Sequence, residues 1–136
     1  SKEFLYGINT TAGATALPIA VSTPATPSIF VEQVTIPVAG TWLFHYNGGA
    51  AANLIVATVS MGLYTGAGVF IAGSEVVLMR TTVAAIEGTL SNGLMVIPNL
   101  VAGDIIKLGV WKAAGSNIFF LAGTNAPSRL TALKIG

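Results

Sequence analysis

Gly40-Thr41-Trp42-Leu43-Phe44-His45-Tyr46 is the stretch on which the fold class turns. Trp42, Phe44 and Tyr46 stand two apart, and so do Thr41, Leu43 and His45. Alternate residues of an extended strand face opposite ways, so the three aromatic rings share one side. Helical spacing would scatter them around the axis. The opposite side carries Leu43, so both faces hold apolar groups. That is expected of a strand with one face in a sandwich interior and the other in a subunit contact. Which face takes which role stays open. Trp42, Phe44 and Tyr46 are therefore candidates for an oligomer interface or for the core.

The same texture extends to the C-terminus. Runs rich in Val, Ile, Thr and aromatic residues alternate with Gly, Asn and Pro,. Strands are predicted at 30–36, 40–46, 54–64, 69–71, 75–81, 84–90, 93–98, 104–111, 118–122 and 130–135. Breaks are predicted at Val38-Ala39-Gly40, Asn47-Gly48-Gly49, Gly66-Ala67-Gly68, Ala72-Gly73-Ser74, Ser91-Asn92-Gly93 and Ala114-Gly115-Ser116-Asn117. Ser91-Asn92-Gly93 reads as the strongest tight turn, because Asn-Gly tolerates the positive φ of a primed hairpin. No segment combines helical apolar spacing with caps. Many short strands with regular turns indicate an antiparallel sandwich or barrel.

Composition narrows the class further. The chain has 136 residues, enough for one core,. Charged residues make up 8 % of it, against about 25 % in an average soluble domain,. Apolar residues reach 53 % and the mean hydropathy is +0.77. Disorder is excluded by so apolar and charge-poor a composition. A nucleic-acid module is excluded by a net charge of +1 with the basic residues spread singly,. Zero Cys removes disulfide scaffolds and Cys-based zinc sites,. A spanning helix needs about 20 largely apolar residues, and the best stretch, 54–63, is interrupted by Thr58, Ser60 and Gly62,. No membrane span and no secretory signal are therefore expected. The start Ser1-Lys2-Glu3 is that expected of a complete chain made in the cytoplasm whose initiator Met has been removed; a mature fragment could begin the same way.

Residues 1–29 differ from 30–136. Thr10 to Ala16 is small and low in complexity, and Pro18, Pro24 and Pro27 follow. Pro fixes φ and removes a donor, so this is poor helix and poor central strand. It reads as an extended N-terminal arm with one edge strand near Phe4 to Ile8. Its apolar tip, Phe4, Leu5, Tyr6 and Ile8, has no use in a solvated linker and is a candidate docking element. Docking on its own domain and docking on a neighbouring subunit or shell both stay open.

Three segments resemble one family. Val34-Thr35-Ile36-Pro37-Val38-Ala39-Gly40-Thr41-Trp42-Leu43-Phe44 resembles a strand pair of the C1q/TNF-like jelly roll. Leu100-Val101-Ala102-Gly103-Asp104-Ile105-Ile106-Lys107-Leu108-Gly109-Val110 resembles its Leu-x-x-Gly-Asp-x-Val-x-Leu strand, and Arg129 to Ile135 its closing strand. The resemblance covers roughly residues 30–136. It implies an all-β antiparallel sandwich, a jelly roll of about ten strands assembling as a homotrimer around an apolar axis. The charged and calcium-ligating loops of animal members are absent. The N-terminal segment matches neither a collagen stalk nor the family's usual first strand. Independently, a folded chain of this mass exposes about 6,600 Å², roughly one charge per 600 Å². So sparse a surface favours burial between subunits.

No chemistry emerges from the motifs. His45 is the sole His and lacks a nearby carboxylate, so no metal site is expected,. Glu3, Glu32, Glu75, Glu87 and Asp104 lie far apart, and Asp104 after Gly103 reads as a turn cap,. No Gly-x-Ser-x-Gly elbow or dinucleotide loop is present,. Asn9-Thr10-Thr11 matches a glycosylation sequon by chance. Trp111-Lys112 reads as an exposed loop edge or as core packing. The expectation is no enzyme, no catalytic residue, no cofactor and no metal. The expected function is a structural virion protein, a trimeric capsid decoration (cement) or head-fibre protein of a tailed phage. It would sit on the capsid surface against a major capsid protein or other virion component. The alternative is a C1q/TNF-like recognition head: a receptor-binding fibre tip, or an exosporium or secreted domain on a cell or spore surface.

Overall fold

The structure, a computed structural model, describes residues 4–8, 16–18, 20, 22–81, 88–121 and 129–136. Its strands are β1 (Phe4–Ile8), β2 (Ala16–Pro18), β3 (Ile29–Thr35), β4 (Gly40–Thr65), β5 (Val76–Thr81), β6 (Gly88–Leu100), β7 (Ile105–Leu121) and β8 (Arg129–Lys134). All pairings are antiparallel. Among the described residues no helix is long and apolar enough to cross a membrane.

β4 organises the molecule. Its first half lies between β6 and β8, and β1 is added outside β8. Its second half lies between β5 and β7, with β3 outside β7. The strand thus passes from one sheet into the other, and register shifts near Thr58 accompany the bend,. Between the layers pack Trp42, Phe44, Tyr46, Leu130 and Ala132 from the first sheet. Val34, Val59, Met61, Leu63, Ile106, Leu108 and Val110 meet them from the second. This is the all-β antiparallel sandwich that the run of short strands leads one to expect, in the jelly-roll form that the resemblance implies.

The strand boundaries differ from the sequence expectation in one consistent way. Asn47-Gly48-Gly49 does not end a strand: these residues pair with Asn92, Ser91 and Leu90 inside β4. Ser91-Asn92-Gly93 is likewise no turn but the middle of β6, and Ala114 to Asn117 lies within β7. Three long strands therefore do the work assigned to pairs of shorter ones. The physical reason at Gly93 is space, since a Cβ there would run into the ring of its partner Tyr46. Where φ is positive, at Gly68, Gly73 and Gly103, glycine marks the turns that were expected,. The segment 69–71 forms only an isolated bridge, Tyr64 with Phe70. Part of the predicted strand 84–90 lies outside the described residues, as do Glu3, Glu87 and Asn9-Thr10-Thr11.

The N-terminal strand pairs within its own chain. Phe4 faces Leu133 in register and Ile8 faces Arg129. Residues 22–28 run beside β7: the Ser22 N–H donates to the Lys112 carbonyl at 3.0 Å and the Ser28 N–H to Val110 at 2.9 Å.

Candidate assembly face

The two sheets present unlike outer faces, and the difference begins with alternation. Trp42, Phe44 and Tyr46 are 0 %, 0 % and 1 % exposed in the single chain. Their place is the sandwich interior. Trp42 donates its indole N–H to the Val38 carbonyl at 3.2 Å, and the Tyr46 hydroxyl donates to Ser74 at 2.6 Å. Burial raises the Tyr46 hydroxyl above its ordinary pKa. Thr41, Leu43, His45 and Asn47 must then face outward.

Register extends that outward side across the sheet. Leu43 lies between Val96 of β6 and Leu133 of β8. His45 lies between Leu94 and Thr131, and Asn47 between Asn92 and Arg129. Leu94 is 68 % exposed and Val96 49 %, while Leu43 and Leu133 are half-buried. In backbone register β1 sets Phe4 opposite Leu133 and Tyr6 opposite Thr131. Across β1, β8, β4 and β6 the only charged residues are Arg129 and Lys134. An outward sheet face normally alternates to polar residues, and β6 offers Leu94 and Val96 instead.

The outer face of the second sheet is partly covered by the chain itself, with Phe30 and Val77 left exposed. Tyr64 and Trp111 stand on it, with Phe30 and Phe70 against them edge to face. Ring centroids lie 5.2 Å apart for Phe30 and Tyr64, 5.5 Å for Tyr64 and Phe70, and 5.7 Å for Phe70 and Trp111,. Gly109 makes room for Tyr64 where a Cβ would collide with its ring. The Tyr64 hydroxyl donates to the Pro24 carbonyl, which ties residues 22–28 over the cluster. Burial, with Glu75 adding to it, pushes the Tyr64 hydroxyl up to about 12. Trp111 and Lys112 are both buried within β7, which corrects the reading of an exposed loop edge. Burial lowers the Lys112 ammonium below the usual lysine range.

Reactive groups do not converge. Among the described residues no three of His, Cys, Asp and Glu gather. His45 is exposed on the open face. Asp104 caps its turn by accepting the Val101 N–H at 2.9 Å. It borders an open cleft of about 410 Å³ at the loop end, lined also by Thr65, Leu100, Ile105 and Ile106.

The residues that matter most on this face, Leu94 and Val96, were not singled out by sequence. All four residues from Leu94 to Ile97 are apolar, so alternation carries no sign there. The usable signal was the absence of charge from β4 and β6 together.

No protein-family model matches the chain, and no curated protein matches it. Solved structures do resemble it. An Eiger TNF from S. frugiperda aligns with a TM-score of 0.51 at 16 % identity, over 98 % of this chain and 93 % of that one. A chain of infectious bursal disease virus, Gx strain, aligns with a TM-score of 0.56 at 10 % identity, over 99 % of this chain and 32 % of its own length. A chain of the T13 particle of that virus gives 0.58 at 11 % identity, over 98 % and 35 %. The chain thus spans about a third of the viral chains and nearly all of the TNF. At these identities the likeness shows the fold, a jelly roll shared by TNF-like and viral particle proteins.

Proposed function

We propose that this chain is a structural virion protein that assembles as a homotrimer, a capsid decoration or head-fibre protein of a tailed phage. It performs no catalysis and needs no cofactor or metal. The observation that carries the reading is the contrast between the two outer faces. One is partly covered, with Tyr64 and Trp111 buried beneath Phe70 and the segment 22–28 while Phe30 and Val77 stay exposed. The other leaves Leu94, Val96, Leu43 and Leu133 open on a sheet with two charged residues. Burying that face between copies removes apolar surface from water at about 25 cal/mol per Å². The likeness to chains of viral particles supports a virion setting, with the capsid surface and a major capsid protein as site and partner. The near-complete span of a TNF favours one second reading, a recognition head on a stalk.

Light scattering of the purified chain tests the assembly. Three times the 13.8 kDa chain mass is expected, and a stable monomer at micromolar concentration overturns it. Electron microscopy of particles incubated with the protein separates the readings. Regular decoration of the shell supports the virion role, and a bare shell turns the case to the recognition head.

A further inference from the structure

His45 stands in the middle of the open face. Leu94 of β6 lies opposite it on one side and Thr131 of β8 on the other. Leu43 and Asn47 share its side of β4. Val96 and Leu133 are level with Leu43, and Asn92 and Arg129 with Asn47. His45 is exposed, while Leu43, Thr131 and Leu133 around it are half-buried. The Thr131 hydroxyl donates to the His45 main-chain carbonyl at 3.1 Å, not to the ring.

An imidazole is the one side chain whose charge ordinarily changes between pH 5 and 8. No acid on β1, β8, β4 or β6 can receive that charge. Arg129, diagonal to His45 on β8, has the same sign as an imidazolium. Lys134 falls on the alternate side of β8, opposite Trp42. Tyr6 of β1 is in register with Thr131, and β6 carries no titratable group. Glu32 on β3, Glu75 just before β5 and Arg80 on β5 belong to the other layer, behind the core. An imidazolium on this face is therefore stabilised by water alone. Copies that bury the face against one another remove that water and bring further His45 and Arg129 side chains in its place.

We propose that His45 is a pH switch of assembly: the neutral imidazole is buried with Leu43, Leu94 and Leu133 between copies, and the imidazolium holds the chains apart. The switch rests on the assembly reading above. The proton binds more readily to the separate chain, so assembly is complete above the ordinary imidazole range and is lost as pH falls through it. With three imidazoles in a trimer, at about tenfold each, the association constant should fall about a thousandfold between about pH 7.5 and 5.5. Light scattering of the full-length chain at these two pH values reads the switch, just above the concentration at which the trimer begins to dissociate at the higher one. The mass should fall from three chains to one at the lower pH, with circular dichroism unchanged and with recovery on return. His45→Gln should keep three chains at both, which also separates the imidazole from Glu32. His45→Lys should stay a single folded chain at both. A trimer that persists at the lower pH overturns the switch and leaves the assembly reading standing, whereas a monomer at the higher pH at every concentration overturns both. Dissociation of His45→Gln in step with the wild type assigns the pH dependence to another group and overturns the switch. Should His45→Gln not fold, a His45→Lys trimer at the higher pH overturns it instead.

Discussion

Gly93 of β6 lies directly opposite Tyr46 of β4, and the ring of Tyr46 occupies the space a Cβ on Gly93 would need. The pair lets a large side chain fold back over its neighbouring strand and still reach Ser74 with its hydroxyl. Gly93→Ala should overpack this contact and destabilise the chain by about 1–3 kcal/mol or more. Urea titration checks it. A shift within error would mean that Tyr46 is free to move aside.

Phe44 and Leu94 should separate stability from assembly. Phe44 is fully buried, so Phe44→Ala should cost about 3–5 kcal/mol in denaturant titration,. Leu94 is largely exposed on the open face, so Leu94→Lys should change the single chain's stability by no more than about 0.5 kcal/mol,. It should nevertheless reduce the mass in solution toward 13.8 kDa. An unchanged assembly in Leu94→Lys, with Val96→Lys also silent, would place the subunit contact on another surface.

The fold class was legible because Trp42, Phe44 and Tyr46 announce their period, and because β-branched residues crowd the rest of the chain,. Strand ends were not. Glycine serves turns through positive φ, as at Gly73 and Gly103, and serves strands through its missing Cβ, as at Gly93 and Gly109,. The letters are the same, and only the ring standing opposite tells the two uses apart. The open face was legible as scarcity of charge but not as residues. Leu94 and Met95 look alike until the register of β6 sends them to opposite sides,. The register shift between Phe30 and Glu32 of β3, which sets Glu32 opposite the core residue Leu108, has no signature of its own in Ile29-Phe30-Val31-Glu32.

Stability should fall as pH rises from about 4.5 to about 7, because Glu32 keeps its proton in the folded chain at pH values where the unfolded chain has lost it,. Below that window both states are protonated, and above it both are ionised, so the slope vanishes at either side. The carboxyl is only half-buried, and solvent screening limits the total to the order of 1 kcal/mol. Urea midpoints at about pH 4, 5.5 and 7.5 should decline in the wild type and stay level in Glu32→Gln. Equal slopes in the two proteins would assign the pH dependence to another group.

The N-terminal segment should divide into two parts with different roles. β1 adds one edge strand to β8, and its removal leaves β8 paired with β4 along Trp42 to Asn47. Residues 22–28 instead hold Lys112, Val110 and Tyr64 through Ser22, Ser28 and Pro24, over the cluster of Phe30, Tyr64, Phe70 and Trp111. Deleting residues 1–8 should therefore leave a folded sandwich with a melting temperature lowered by a few degrees. Deleting residues 1–28 should expose Tyr64 and Trp111 as well, and cost a further 2–4 kcal/mol, roughly the burial of one or two aromatic side chains. Thermal melts of the two truncations side by side check the division. Equal melting temperatures would mean that residues 22–28 stabilise nothing, and that the aromatic cluster is held by the 66–74 loop alone.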